Sequence, residues 1–173
     1  MIPVEPTVFT AHQRHASILG SRDLAWASEA DCAASARALA HHEALHNAFI
    51  ELRGPLGAGK TTFVRHLLRA LGVVGRVKSP SYAVVEPHEV ATPNGTLPIW
   101  HFDFFRFKDP NEWEDAGFRD LFAADGLKLA EWPEKAQGVL PRPDLRIEIE
   151  PLEGDSRRVL LSAFTPRGLE LLA

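Results

Sequence analysis

The chain has 173 residues, of which 45% are hydrophobic and 24% charged, and its formal net charge is −4. That length carries one domain with a real core, and the acidic balance argues against a broad basic surface for naked nucleic acid. No apolar run approaches the ~18 residues of a membrane span, and Met1 to Gly20 lack the basic start and apolar core of a secretory signal. Cys32 is the single cysteine and forms no internal disulfide, which suits a reducing cytoplasm, the expected location.

Residues 1–22 carry Pro3, Pro6 and scattered histidines without periodicity and read as an extended or partly disordered leader, with one domain over 23–173. Asp23 to Ala27 reads as a first strand. Ser28, with Asp31 three residues on, is an N-cap signal before an alanine-rich helix to about His41. His41, His42 and His46 lack an acidic partner at metal-site spacing and read as solvated surface. Ala48 to Leu52 is a short buried strand. Phe63, Val64, Leu67, Leu68 and Leu71 then share one helical face, and Gly72 is a natural stop.

Between that strand and that helix lies Gly54-Pro55-Leu56-Gly57-Ala58-Gly59-Lys60-Thr61-Thr62, which is G-x-x-x-x-G-K-[ST]. Glycines let the backbone adopt positive φ and approach a ligand, so that successive N–H groups form a concavity for anionic oxygens. The helix N-terminus adds its partial positive charge. Lys60 supplies a compact cation for β/γ-phosphates, and the Thr61 hydroxyl can hold Mg²⁺.

Downstream, Gly75 to Tyr82 is a polar loop suited to a place near phosphate, with Lys78 offering charge and Ser81 a hydroxyl. Ala83–Glu86 and Leu97–Phe105 are expected strands, joined across Pro93-Asn94-Gly95-Thr96 by an Asn-Gly hairpin signal, hence antiparallel. Alternation sets His101, Asp103 and Phe105 on one face, with Phe102 and Phe104 on the other. Asp103 amid phenylalanines is costly to bury unless paired or near a metal. Asp109-Pro110 opens a polar helix that Gly117 breaks, and Phe118, Leu121 and Phe122 mark a second amphipathic piece. The acids Glu112, Glu114, Asp115, Asp120 and Asp125 read as an exposed face. Leu127 to Trp132 is a strand whose Glu131 stands where phosphate-binding-loop enzymes place a magnesium ligand or a water-orienting group. Leu145–Pro151 and Arg157–Ala163 are two more strands, and a short helix follows Pro166.

Taken in order, Gly54–Thr62, Lys78-Ser79-Pro80-Ser81-Tyr82, His101-Phe102-Asp103-Phe104-Phe105-Arg106 and Glu131-Trp132-Pro133 resemble the TsaE (YjeE) family, with Gly138–Pro141 and Pro143-Asp144 as further matches. The family supplies the ATPase of the bacterial machinery for threonylcarbamoyladenosine in tRNA. The resemblance implies a small P-loop α/β domain, with a mixed, mostly parallel sheet flanked by helices and an antiparallel hairpin. It implies ATP hydrolysis with Mg²⁺ and partners like TsaB and TsaD, whose complex the ATPase cycle resets; tRNA is met indirectly through that complex. By the same resemblance Gly57, Ala58, Gly59, Lys60, Thr61 and Thr62 surround the phosphates. Thr61 and Glu131 sit at magnesium, and Ser81 and Asp103 lie beside the γ-phosphate. The catalytic set is Lys60, Asp103 and Glu131, with Glu131 or Asp103 orienting water. No arginine finger is obvious in the sequence, although Arg106 or Arg157 could serve, so a slow isolated ATPase gated by partners is expected. Serine stands at 81 where the family often has threonine, phenylalanine at 105 where it often has tyrosine, and the leader is longer than usual. A small-molecule kinase with residues 106–125 as a cover, or a nucleotide-gated scaffold without hydrolysis, are the competing readings.

Overall fold

The computed structural model describes residues 17–80, 82–109, 111–115 and 117–173. One sheet of seven strands organises them: β1 (Gly20–Trp26), β2 (Phe49–Arg53), β3 (Val85–Thr92), β4 (Gly95–Asp103), β5 (Leu127–Glu131), β6 (Leu145–Pro151) and β7 (Arg157–Ala163). The order across the sheet is β1-β7-β6-β2-β5-β4-β3. The four inner strands β6, β2, β5 and β4 run parallel. The outer pairings β3–β4, β6–β7 and β1–β7 are antiparallel. The sheet is therefore mixed, with a parallel centre, as expected.

Helix α1 (Glu29–Ala40) begins at Ser28, and the Asp31 carboxylate reaches back to the N–H groups of Ala27 and Ser28 at 2.8 and 3.3 Å. Helix α2 (Lys60–Leu71) buries Phe63, Val64, Leu67 and Leu68. It ends where expected: Gly72 takes φ 106°, and the Val73 N–H returns to the Leu68 carbonyl at 2.9 Å, closing the helix in a Schellman turn. α3 (Asn111–Asp115) and α4 (Phe118–Ala123) are the two short pieces foreseen around Gly117, and α5 (Pro166–Leu171) closes the chain.

Strand alternation splits the core in two. Ile50 and Leu52 join Leu67, Leu68 and Leu129 in an aliphatic core. Phe49 joins Phe102, Phe104, Trp113 and Phe118 in an aromatic core instead. Phe118 meets Phe102 and Phe104 edge-on, with ring centroids 5.4 and 6.2 Å apart, so α4 is held by aromatic packing.

Several boundaries differ from the sequence reading. β3 runs over Val85–Thr92 where a strand over Ala83–Glu86 was expected, because its whole length pairs with β4. The first strand begins at Gly20, inside the stretch assigned to the leader, because Gly20–Arg22 extend the ladder against Leu161–Ala163. The hairpin turns one residue early: Thr92 pairs with Gly95, so Pro93 and Asn94 form the loop and Gly95 opens β4. Strand β4 stops at Asp103, and Phe104 continues instead through an N–H bond to the Glu131 carbonyl at 3.0 Å. Among the described residues, no helix is long and apolar enough to cross a membrane.

Candidate functional site

The parallel centre of the sheet delivers three chain segments to one edge. β2 ends in the glycine loop, while β5 and β4 end in Glu131 and Asp103, which are partners in the β4–β5 register. Ligand crevices in open α/β sheets form outside these carboxyl ends. Here they enclose a cleft of about 430 Å³ whose wall includes Gly57, Gly59, Lys60, Thr61, Thr62, Asp103 and Glu131.

The loop needs its glycines for two different reasons. A Cβ on Gly54 would lie 2.6 Å from the Ile149 carbonyl oxygen, so only glycine lets the loop start against β6. Gly59, the residue before α2, has φ 108° and open space beside it, so its requirement is backbone conformation. Ala58 is buried, its N–H donates to the Pro55 carbonyl at 3.0 Å, and it lines a second, smaller cleft of about 280 Å³ with Trp26, Cys32 and Arg157.

Lys60 is 5% exposed, and its ammonium donates to the carbonyls of Gly54 and Pro55 at 2.5 and 2.9 Å. It also lies 4.2 Å from the Trp132 ring centroid, a cation–π contact. Burial pushes this lysine below its usual range, against the opposing pull of Glu131, Glu134 and Asp103. Trp132 is held at φ 55°, a left-handed conformation strained for a bulky residue, and its ring meets Phe105 at 4.9 Å.

Glu131 is 2% exposed and both carboxylate oxygens are engaged. The Thr61 hydroxyl donates to Oε1 at 2.7 Å, and His101 Nε2–H donates to Oε2 at 2.6 Å. His101 is fully buried and its Nδ1 has no partner among the described residues; an ionised carboxylate only accepts, so the hydrogen shared with Glu131 sits on Nε2. Asp103 is likewise held at both oxygens: the Phe105 N–H donates to Oδ1 at 2.9 Å, and the Ser79 hydroxyl to Oδ2. Hard oxygen donors from Thr61 and Glu131, with Lys60 and a concave turn of amides beside them, form a donor set suited to a divalent cation carried by a polyphosphate.

The cleft thus gathers Lys60, Thr61, Thr62, Gly57, Gly59, Asp103 and Glu131, all expected from sequence. Ser81 lies outside the described residues. Ser79, two positions earlier, is the hydroxyl that reaches Asp103. His101 was placed by strand alternation on the face of Asp103 and falls in one of the stretches that resemble the family, but it was given no role. Its position one strand over from Glu131 comes only from the β4–β5 register. Of the two arginines, Arg106 lines the cleft and lies over the Tyr82 ring at 4.6 Å, while Arg157 donates through Nε to the Ala58 carbonyl at 2.9 Å in the smaller cleft. Cys32 is no nucleophile: burial, then the charge of Glu29, push its thiol up to about 12.

Comparison with known proteins places this geometry. The family model "Threonylcarbamoyl adenosine biosynthesis protein TsaE" matches residues 26–159. A tRNA threonylcarbamoyladenosine biosynthesis protein TsaE from Haemophilus influenzae is 43% identical over 124 residues, covering 72% of this chain and 75% of the relative. Its counterpart from Bacillus subtilis is 34% identical over 118 residues, covering 68% and 71%. The crystal structure of Bacillus subtilis YdiB superposes with a TM-score of 0.68 at 25% identity, covering 88% of this chain and 92% of that one. The architecture is therefore P-loop NTPase-like, and the chain belongs to the TsaE family of tRNA threonylcarbamoyladenosine biosynthesis proteins.

Proposed function

We propose that this chain is a Mg²⁺-dependent ATP hydrolase of tRNA threonylcarbamoyladenosine formation, acting on a complex of TsaB-like and TsaD-like proteins in the cytoplasm. The observation that carries the reading is the convergence of the glycine loop, Lys60, the Thr61–Glu131 pair and Asp103 on one cleft at the carboxyl edge of the sheet. The amides of Gly57 to Thr62 and the Lys60 ammonium hold the triphosphate. To do so, Lys60 exchanges the carbonyls of Gly54 and Pro55 for phosphate oxygens.

Thr61 and Glu131 would hold Mg²⁺, and their direct contact favours a shared cation over separate roles. Mg²⁺ bound there supplies positive charge against the charge that develops on the phosphate oxygens. Asp103, on the neighbouring strand, is left to orient the attacking water. Its carboxylate is aimed by Ser79 and the Phe105 amide, and each oxygen keeps a lone pair for a further hydrogen bond. Ser81 remains assigned to the γ-phosphate side by the family resemblance. Arg157 is tied to backbone carbonyls, and Arg106, which lines the cleft, is stacked over the Tyr82 ring; neither is held on the phosphate cradle, so the isolated protein is expected to turn over slowly.

Turnover of the purified chain, measured with and without TsaB and TsaD, tests the reading. Slow hydrolysis that the partners alter is expected, and equally fast turnover in both conditions sinks it. Lys60→Ala should weaken ATP binding roughly tenfold or more, as loss of a charged hydrogen-bonding partner does. Unchanged affinity would remove Lys60 from the phosphate site.

A further inference from the structure

Away from the nucleotide cleft, a hollow of about 130 Å³ lies between α1, the strands β1 and β7, and the end of α5. It follows from the sequence of α1. Ser35, Ala38 and Leu39 share one face of that helix, and the first two are too short to fill the space against Leu24 and Leu161. Beneath them Phe63 and Ile147 form a buried floor. Trp26 belongs to the wall: its ring stacks on Phe63 with centroids 5.8 Å apart, and its indole N–H donates to the Ser35 hydroxyl at 2.8 Å.

Two basic residues line the hollow, Arg22 and His42, and no acidic side chain does. Arg22 is exposed, and its Nη1–H reaches the Leu172 carbonyl only at 3.5 Å. Neither Arg22 nor His42 makes an ion pair among the described residues. Protein interiors hold few voids larger than a water molecule, and a water needs several polar partners to settle in one. The hydroxyl in this wall is already engaged by Trp26, so the interior suits carbon better than water. An apolar cavity of about 150 Å³ holds a benzene-sized guest. The planar fork of Arg22 matches a carboxylate.

We propose that this hollow binds a small apolar monocarboxylate of about six to eight carbons, a size set by its volume. The hydrocarbon part lies against Phe63 and Ile147, and the carboxylate meets Arg22 and a ring N–H of His42. Trp26 also lines the smaller cleft beside the glycine loop, so the two hollows share a wall. The assignment is independent of the ATPase reading.

The test is an NMR titration of the full, isotopically labelled chain with benzoate. The Trp26 indole N–H signal, identified by its loss in Trp26→Phe, should move together with the amides of Ser35 to Leu39. A Kd on the order of 0.1 mM is expected for a ligand of this size. Benzyl alcohol, neutral and of similar size, should bind roughly tenfold more weakly. Arg22→Gln should weaken benzoate by a similar factor and leave benzyl alcohol unchanged. Ala38→Leu fills the hollow from α1 and should abolish binding of both while the melting temperature holds or rises. If that variant fails to fold, the exposed Arg22→Gln decides alone. A Trp26 signal that stays still up to about 5 mM benzoate overturns the proposal. So does equal affinity for benzoate and benzyl alcohol, or a benzoate affinity that Arg22→Gln leaves unchanged. Shifts centred on Gly57 to Thr62 instead overturn it too, since they would put the anion in the phosphate cradle.

Discussion

A single hydrogen bond, from His101 Nε2 to Glu131 Oε2, does most to define the site's geometry. With Thr61 on the other oxygen, it leaves the Glu131 carboxylate no free rotation, and a buried carboxylate held at both ends is pre-organised for a cation. His101→Phe fills much of the same space but removes the donor. Hydrolysis should fall on the order of 10- to 100-fold, the usual cost of losing a residue that orients a ligand, with the loss in kcat and in the Mg²⁺ concentration required more than in the KM for ATP. His101→Gln can still donate through its amide and should recover part of the activity. A Phe variant with wild-type kcat and Mg²⁺ requirement would show that His101 only fills space. Sequence pointed at Asp103 as a carboxylate among phenylalanines and at Glu131 as the acid that ends a strand. It passed over Ser79 and His101 because their roles depend on the register between β4 and β5 and on the course of the 76–82 loop.

Strand β5 carries a second buried cation, Lys128, which is 5% exposed in the centre of the sheet. Its ammonium donates to the Ala124 carbonyl and lies 5.4 Å from the Trp100 ring. Burial, which Asp125 partly offsets, pushes it below the usual lysine range. The folded state therefore gives up its proton more readily than the unfolded chain does, whose lysine titrates near 10.5. Stability that this group withholds at neutral pH returns as pH rises through the lowered folded value towards the unfolded one. Lys128→Met lacks that titration. Melting curves of the two proteins should differ most in the variant's favour near pH 7, and the gap should close as pH approaches 10.5. A difference that stays constant with pH would mean that Lys128 is paid for by its contacts. At this scale the helices were the legible elements: Ser28, the apolar face of α2 and Gly72 mark their own ends through local capping chemistry. Strand limits were less legible because pairing sets them. β1 is an edge strand, exposed over most of its length, and its start is fixed by β7, more than 130 residues away.

Across the whole molecule the two ends of the parallel strands do different work. The carboxyl ends hold the cleft, and the amino ends are tied together by Asp144, just before β6. Asp144 is 7% exposed; its Oδ2 accepts the Phe49 N–H at 2.8 Å, and its Oδ1 accepts the Thr165 hydroxyl at 2.6 Å. Its backbone extends the same knot, since the Phe164 N–H donates to the Asp144 carbonyl at 3.0 Å. One side chain thus fastens the start of β2 to the turn that leads into α5. Asp144→Ala removes two charge-assisted hydrogen bonds and leaves the Phe49 amide buried without an acceptor. Losses of this kind sum to about 3 kcal/mol, or a fall in melting temperature of roughly 6–12 °C for a domain of this size. Asp144→Asn keeps one carbonyl acceptor without the charge and should lie between. Because Asp144 stands at the opposite strand ends from Glu131, nucleotide affinity of either variant, measured well below its melting point, should match that of the wild type. His101→Phe is expected to show the reverse pattern of lost turnover with a folded chain. If Asp144→Ala melts within about 2 °C of the wild type, the amino-end knot contributes little. If it weakens nucleotide binding while still folded, the two ends of the sheet are coupled through the strands, and the division between a fastening end and a working end fails.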